Sequence, residues 1–153
     1  MKYISSILTL IFFIAVFLVL TPTTIAQAQA GAKNVRDFSY NYTNSTWTIS
    51  YNGVPVTIEQ KTENTSLLQS YKLLLDRTKK DVLIFQSACA SLLLTHLILS
   101  FLFIFKFSWL TTPVVLVGIA IIFISANTIY SNLESIYSAF NNLRFYYYSL
   151  SAS

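Results

Sequence analysis

Only 10 % of the 153 residues are charged, and the chain holds one cysteine, one histidine, three glycines and three prolines. Each shortage excludes something. So few charges make the chain too apolar for a soluble domain of this length. The lone Cys89 allows no intrachain disulfide and no cysteine-based metal site. His96 has no second histidine to work with, and the six acids (Asp37, Glu59, Glu63, Asp76, Asp81 and Glu134) are dispersed. There is no Gly-rich phosphate loop, no Gly-x-Ser-x-Gly and no paired carboxylates on one element, so neither catalysis nor a cofactor is expected, and no small-molecule substrate is evident. The net charge of +4 comes from basic residues that are scattered or flank an apolar segment, which argues against nucleic acid.

What is present is apolar side chain, 54 % of the total, arranged with clear periods. Residues 1–30 start with Lys2, continue with an apolar run from Ile7 to Leu20 broken only by Thr9, and end with Pro22 and the small-residue stretch that begins at Ala26. This is the outline of a secretory signal peptide, with Ala26-Gln27-Ala28 or Ala28-Gln29-Ala30 as the cleavage pattern. The alternative is an uncleaved N-terminal anchor helix, since the run is nearly long enough to cross a bilayer.

Residues 31–63 alternate with a period of two: Phe38, Tyr40, Tyr42; then Trp47, Ile49, Tyr51; then Val54, Val56, Ile58. Alternation predicts strands. Asn52-Gly53 suits a two-residue type I′ turn, which pairs Tyr51 with Val54, Ile49 with Val56 and Trp47 with Ile58, all on one face. Pro55 cannot donate a ladder hydrogen bond, so the third strand belongs at an edge, and a turn at Asn44-Ser45 brings the first strand to the other side. The expectation is a three-stranded antiparallel β-meander whose aromatic face needs a cover.

From Asn64 the period changes. Thr65 or Ser66 can cap a helix on which Leu68, Tyr71, Leu75, Thr78, Val82, Phe85, Cys89 and Leu92 recur at steps of three and four. Residues 64–106 are expected to run as an amphipathic helix into a transmembrane one, because Val82 to Phe105 holds no formal charge. A turn at 107–112 precedes a second span whose first residue is Pro113, with Trp109 and Tyr130 where interfacial rings belong. The stripe then continues through Ile129, Leu133, Ile136, Phe140, Leu143, Tyr147 and Leu150, so 113–150 is read as one helix with an amphipathic end. Folding about the turn places residues whose numbers sum to about 219 opposite each other. The fold class expected is therefore a mainly α membrane protein, a long antiparallel transmembrane helical hairpin preceded by a small three-stranded β-meander.

Orientation signals compete. A cleaved signal peptide sends the sheet outside but leaves Lys72, Arg77, Lys79 and Lys80 on the outer flank, against the usual cytoplasmic excess of basic residues. Long loops translocate largely regardless of charge, so the β-region is expected to be extracytoplasmic, with Asn41, Asn44 and Asn64 as candidate glycosylation acceptors. Ser91, His96, Ser125 and Asn127 are the intramembrane polar residues of interest. His96 suits a contact between helices better than a proton path, Ser91 and Asn127 fall at one level, and Gly118 and Ala120 permit close approach. Cys89 reads as packing. Arg77, Lys79 and Lys80 suit lipid headgroups or a solvated face equally.

These features point to a small membrane-anchored surface or envelope protein that acts in assembly or binding. Its expected partners are the lipid bilayer and either a second copy or a membrane-protein partner. The contact residues expected are Trp47, Ile49, Tyr51, Val56 and Ile58 on the sheet, with Tyr146, Tyr147 and Tyr148 near the C-terminus. The alternative is an oligomeric pore or transporter subunit with the polar intramembrane residues lining the path.

Overall fold

A computed structural model describes Ala26, residues 33–104 and residues 111–152. The expected signal peptide or anchor, apart from Ala26, lies outside the described residues, as do Lys106 at the end of the first expected helix and Trp109 of the expected turn. The element order is β1 (Phe38–Thr43), β2 (Thr46–Tyr51), β3 (Val54–Glu59), α1 (Thr65–Ile104) and α2 (Thr111–Ser151). The chain divides into two compact units, one containing residues 33–84 and 131–152 and the other residues 85–104 and 111–130. Both helices contribute to each unit.

The first unit is built on the sheet. Its order is β1-β2-β3, and the β2–β3 register is the one that Asn52-Gly53 dictates: Tyr51 opposite Val54, Ile49 opposite Val56, Trp47 opposite Ile58. β1 pairs antiparallel with β2 from Phe38 opposite Tyr51 to Thr43 opposite Thr46. Both turns take positive φ at their two central residues, 51° and 65° at Asn44 and Ser45, 51° and 76° at Asn52 and Gly53. That geometry matches the twist of the strands it joins. The junction from β3 to α1 is tied by Asn64, whose Oδ1 accepts from the Lys61 N–H at 2.8 Å and whose Nδ2 donates to the Glu59 carbonyl at 2.9 Å. Both of these bonds run back toward β3, so Asn64 ties the junction and does not cap α1 with its side chain. Thr65 is already helical, and its hydroxyl turns back to the Lys61 carbonyl at 2.7 Å.

Alternation leaves the aromatic face of the sheet on one side, and the helical stripes within this unit close over it. Leu68, Tyr71, Leu75, Thr78 and Val82 of α1 are buried, as are Ile136, Phe140, Leu143, Tyr147 and Leu150 of α2. Phe38 stacks on Tyr51 at 4.6 Å and on Phe140 at 6.4 Å, and Tyr51 meets Tyr147 edge-on at 5.6 Å. The buried phenols are satisfied by strand backbone. Tyr71 Oη shares its proton between the Ser39 and Ser50 carbonyls at 3.3 and 3.4 Å, and Tyr147 Oη donates to the Val54 carbonyl at 3.1 Å. Burial, and then the neighbouring Tyr147, hold the Tyr71 phenol well above its usual range. Tyr147 lies near Tyr71, and Leu150 lines one cleft with Leu67.

In the second unit Val82's stripe is continued by Phe85, Cys89 and Leu92, all buried, with Leu99. α2 approaches closely here. A Cβ on Gly118 would come within 2.8 Å of Leu99 Cδ2, so glycine is required for the contact as it stands. Much of the remaining surface is apolar and open, including Leu94, Leu97 and Phe101 on α1 and Leu116, Phe123 and Ile124 on α2.

Two outcomes test this packing. A Cβ at Gly53 meets nothing within 4 Å, so Gly53→Ala isolates the cost of a side chain at φ +76° and should lower unfolding stability by about 1 kcal/mol; an unchanged denaturation midpoint would show that the turn is not held in this conformation. The stability carried by Tyr71 is complete below pH 10 and is lost as pH rises above it, because the unfolded phenol ionises first. Tyr71→Phe should therefore unfold with a shallower dependence on alkaline pH than the wild type, followed by tyrosine absorbance and circular dichroism.

Candidate functional site

The sheet residues expected to meet a partner are covered from within the chain. Trp47, Ile49 and Ile58 are buried at 5, 0 and 8 % exposure, Tyr147 is buried as well, and Tyr51, Val56 and Tyr146 are half-buried. The periodicity marked a face that has to be hidden, and α1 and α2 hide it. Of the C-terminal aromatics only Phe145 and Tyr148 remain open, and Tyr148 sits edge-on to Tyr51 at 6.3 Å. Trp47 also anchors its own indole N–H, which donates to Gln60 Oε1 at 3.1 Å.

What the sheet presents outward is its other face. Ser39, Asn41 and Thr43 of β1 and Thr57 of β3 are exposed, with Thr48 and Ser50 of β2 half-exposed between them. Ser39 and Ser50 hydroxyls are 2.7 Å apart across the strands. This is a small flat surface of hydroxyls and one carboxamide with no charged side chain in its centre. On the side covered by α1, Tyr42, Ser45, Gln60, Lys61, Thr62, Thr65, Ser66 and Gln69 line an open cleft of about 550 Å³.

Asn41 and Asn44 stand exposed, Asn44 in a turn, whereas Asn64 is buried with both ends of its carboxamide committed to the β3–α1 junction. A sugar on Asn64 would have to break that junction, so the acceptor expected there is corrected by its own hydrogen bonds. The basic flank is partly engaged. Lys72 and Lys79 Nζ each lie 5.8 Å from the Tyr40 ring centre, and Tyr40 Oη donates to the Asp76 carboxylate at 3.0 and 3.2 Å. Lost hydration and that carboxylate both push the Tyr40 phenol upward. Arg77 reaches Asp81 at 3.9 Å in an exposed i,i+4 pair worth little to stability; Lys80 is exposed. No group of three His, Cys, Asp or Glu side chains that could hold a metal ion occurs among the described residues.

In the second unit the polar residues separate by side. His96 and Ser125 are buried, together with Thr95, and Ser91 is half-buried, but Asn127 is exposed. Matching residue numbers across the turn gives the level of Ser91 and Asn127, not the side on which each points. The signal that could have found this is angular: nine residues at about 100° each put Asn127 half a turn around the helix from Gly118. Cys89 is buried and packs with the stripe. Sequence reasoning also missed Tyr71, Tyr147 and Asn64 as hydrogen-bonding residues, because their partners are backbone carbonyls and amides of other segments.

Searches against protein-family models, curated proteins and solved structures found no match.

Asn64 supplies a direct check on this surface. Asn64→Ala removes two side-chain hydrogen bonds of the junction and should lower stability by about 2 kcal/mol, and leave any glycan mass on the chain unchanged; loss of glycan mass in that variant would mean that the junction opens and Asn64 carries a sugar.

Proposed function

We propose that this chain is a membrane-anchored surface component in which two transmembrane helices, forming an antiparallel hairpin, hold a sealed sheet-and-arm unit on the extracytoplasmic side, where it acts in assembly or binding. One observation carries the anchoring: both helices contain stretches apolar enough to span, and the most apolar 18-residue window of α2 is only 11 % buried within the protein. A soluble core helix would hide that surface; hydrocarbon leaves it where it is. The exposed rings and branched chains of α1 and α2 in the second unit then face lipid.

The contact role passes to the surfaces left open. The hydroxyl-rich outer face of the sheet offers hydrogen-bond donors and acceptors, which suits recognition of a polar surface. Arg77, Lys79 and Lys80 lie within about a turn and a half of Val82, where the charge-free stretch starts and anionic headgroups are within reach.

The full chain should remain with membranes after alkaline carbonate washing, and a thiol introduced by Thr57→Cys should react with a membrane-impermeant maleimide on intact cells. Extraction by carbonate would remove the anchored reading. Labelling only after permeabilisation would place the sheet inside and end the extracytoplasmic one.

A further inference from the structure

Along residues 113–130 α2 has two unlike sides. Gly118 and Ser125, seven residues apart, are buried on one of them. On the other, Leu116, Phe123 and Tyr130 recur every seven residues with exposures of 64, 75 and 82 %, and Ala120 and Asn127 fill the alternate positions, also exposed. Steps of four and three give the seam of a helix pair. Asn127 stands on this side between Phe123 and Tyr130, one turn before Ser131, and its carboxamide makes no hydrogen bond among the described residues. It lies seven residues inside Glu134, the next charge along the helix, or roughly 10 Å into the charge-free stretch.

We propose that a second copy of this chain docks on this side of α2, through Leu116, Ala120, Phe123, Asn127 and Tyr130, with the two Asn127 carboxamides hydrogen-bonded to each other. The proposal rests on the membrane-anchored reading. An amide in hydrocarbon needs both a donor and an acceptor, and lipid tails supply neither. A second Asn127 supplies both, because each amide N–H donates to the other's carbonyl across a twofold axis. Copies inserted in the same orientation bring their α2 helices together in parallel, so identical residues meet at identical depth. Ala120 lets the backbones approach, and the large side chains at 116, 123 and 130 pack above and below the polar pair.

The test uses the full chain in membranes with the native thiol removed by Cys89→Ala. Single cysteines at Leu116, Phe123 and Tyr130 should give covalent dimers on oxidation, whereas cysteines at Val117 and Ile124, 60 and 63 % exposed but off the seam, should give few. In the Phe123→Cys reporter, Asn127→Leu should raise the dimer dissociation constant about tenfold, and Asn127→Gln should restore it. Equal yields at all positions, monomer throughout, or an adduct with another protein in place of the dimer would overturn the proposal while the chain still resists carbonate. Extraction by carbonate would instead overturn the reading beneath it.

Discussion

A three-stranded meander has a single apolar face and no second layer of its own, so the unit that carries it stands or falls on how that face is closed. Here the closure is aromatic and hydrogen-bonded together. Phe38, Trp47 and Ile49 lie beneath helical stripes centred on Tyr71 and Phe140, and the phenols of Tyr71 and Tyr147 reach through to strand carbonyls. The rings contribute area and the hydroxyls satisfy backbone acceptors that would otherwise be buried at a cost. The remaining tertiary contacts of this unit follow from that seal. Asn64 fixes where α1 leaves β3, and Tyr40 pins the outer edge of β1 to Asp76.

The second unit obeys a different rule. Its internal packing is confined to one side of each helix, with Gly118 drawn against Leu99 and the polar atoms of Thr95, His96 and Ser125 turned inward. The outward sides are apolar. In water such surface would drive aggregation, whereas in a bilayer it is solvated as it stands. The contrast is between a unit with its sheet face sealed and one whose outward sides are apolar and open.

Closing the aromatic face also changes what is available for recognition. Interaction surfaces usually expose aromatic anchors, and the sheet turns Phe38 and Trp47 inward to internal closure. The open surface of the sheet is instead short hydroxyl side chains, while the open side of α2 along residues 113–130 is apolar with one carboxamide, Asn127. These two surfaces differ enough in chemistry to serve different partners.

Much of the local architecture was legible in the sequence. Period-two alternation and Asn52-Gly53 determined strand register, because a two-residue turn leaves one pairing and a slip would invert every side chain. The three-four spacing of Leu68 through Leu92 and of Ile136 through Leu150 determined which side of each helix is buried, since helical geometry repeats regardless of context. Tertiary structure alone decided what covers the aromatic face, because alternation records that a surface must leave water and not which surface it will meet. It also decided that Asn64 is a structural tie and that Tyr71 and Tyr147 bond strand carbonyls, because a hydrogen bond to backbone is set by where the segments come to rest; the side on which Asn127 points was, by contrast, already implied by the helical angle from Gly118.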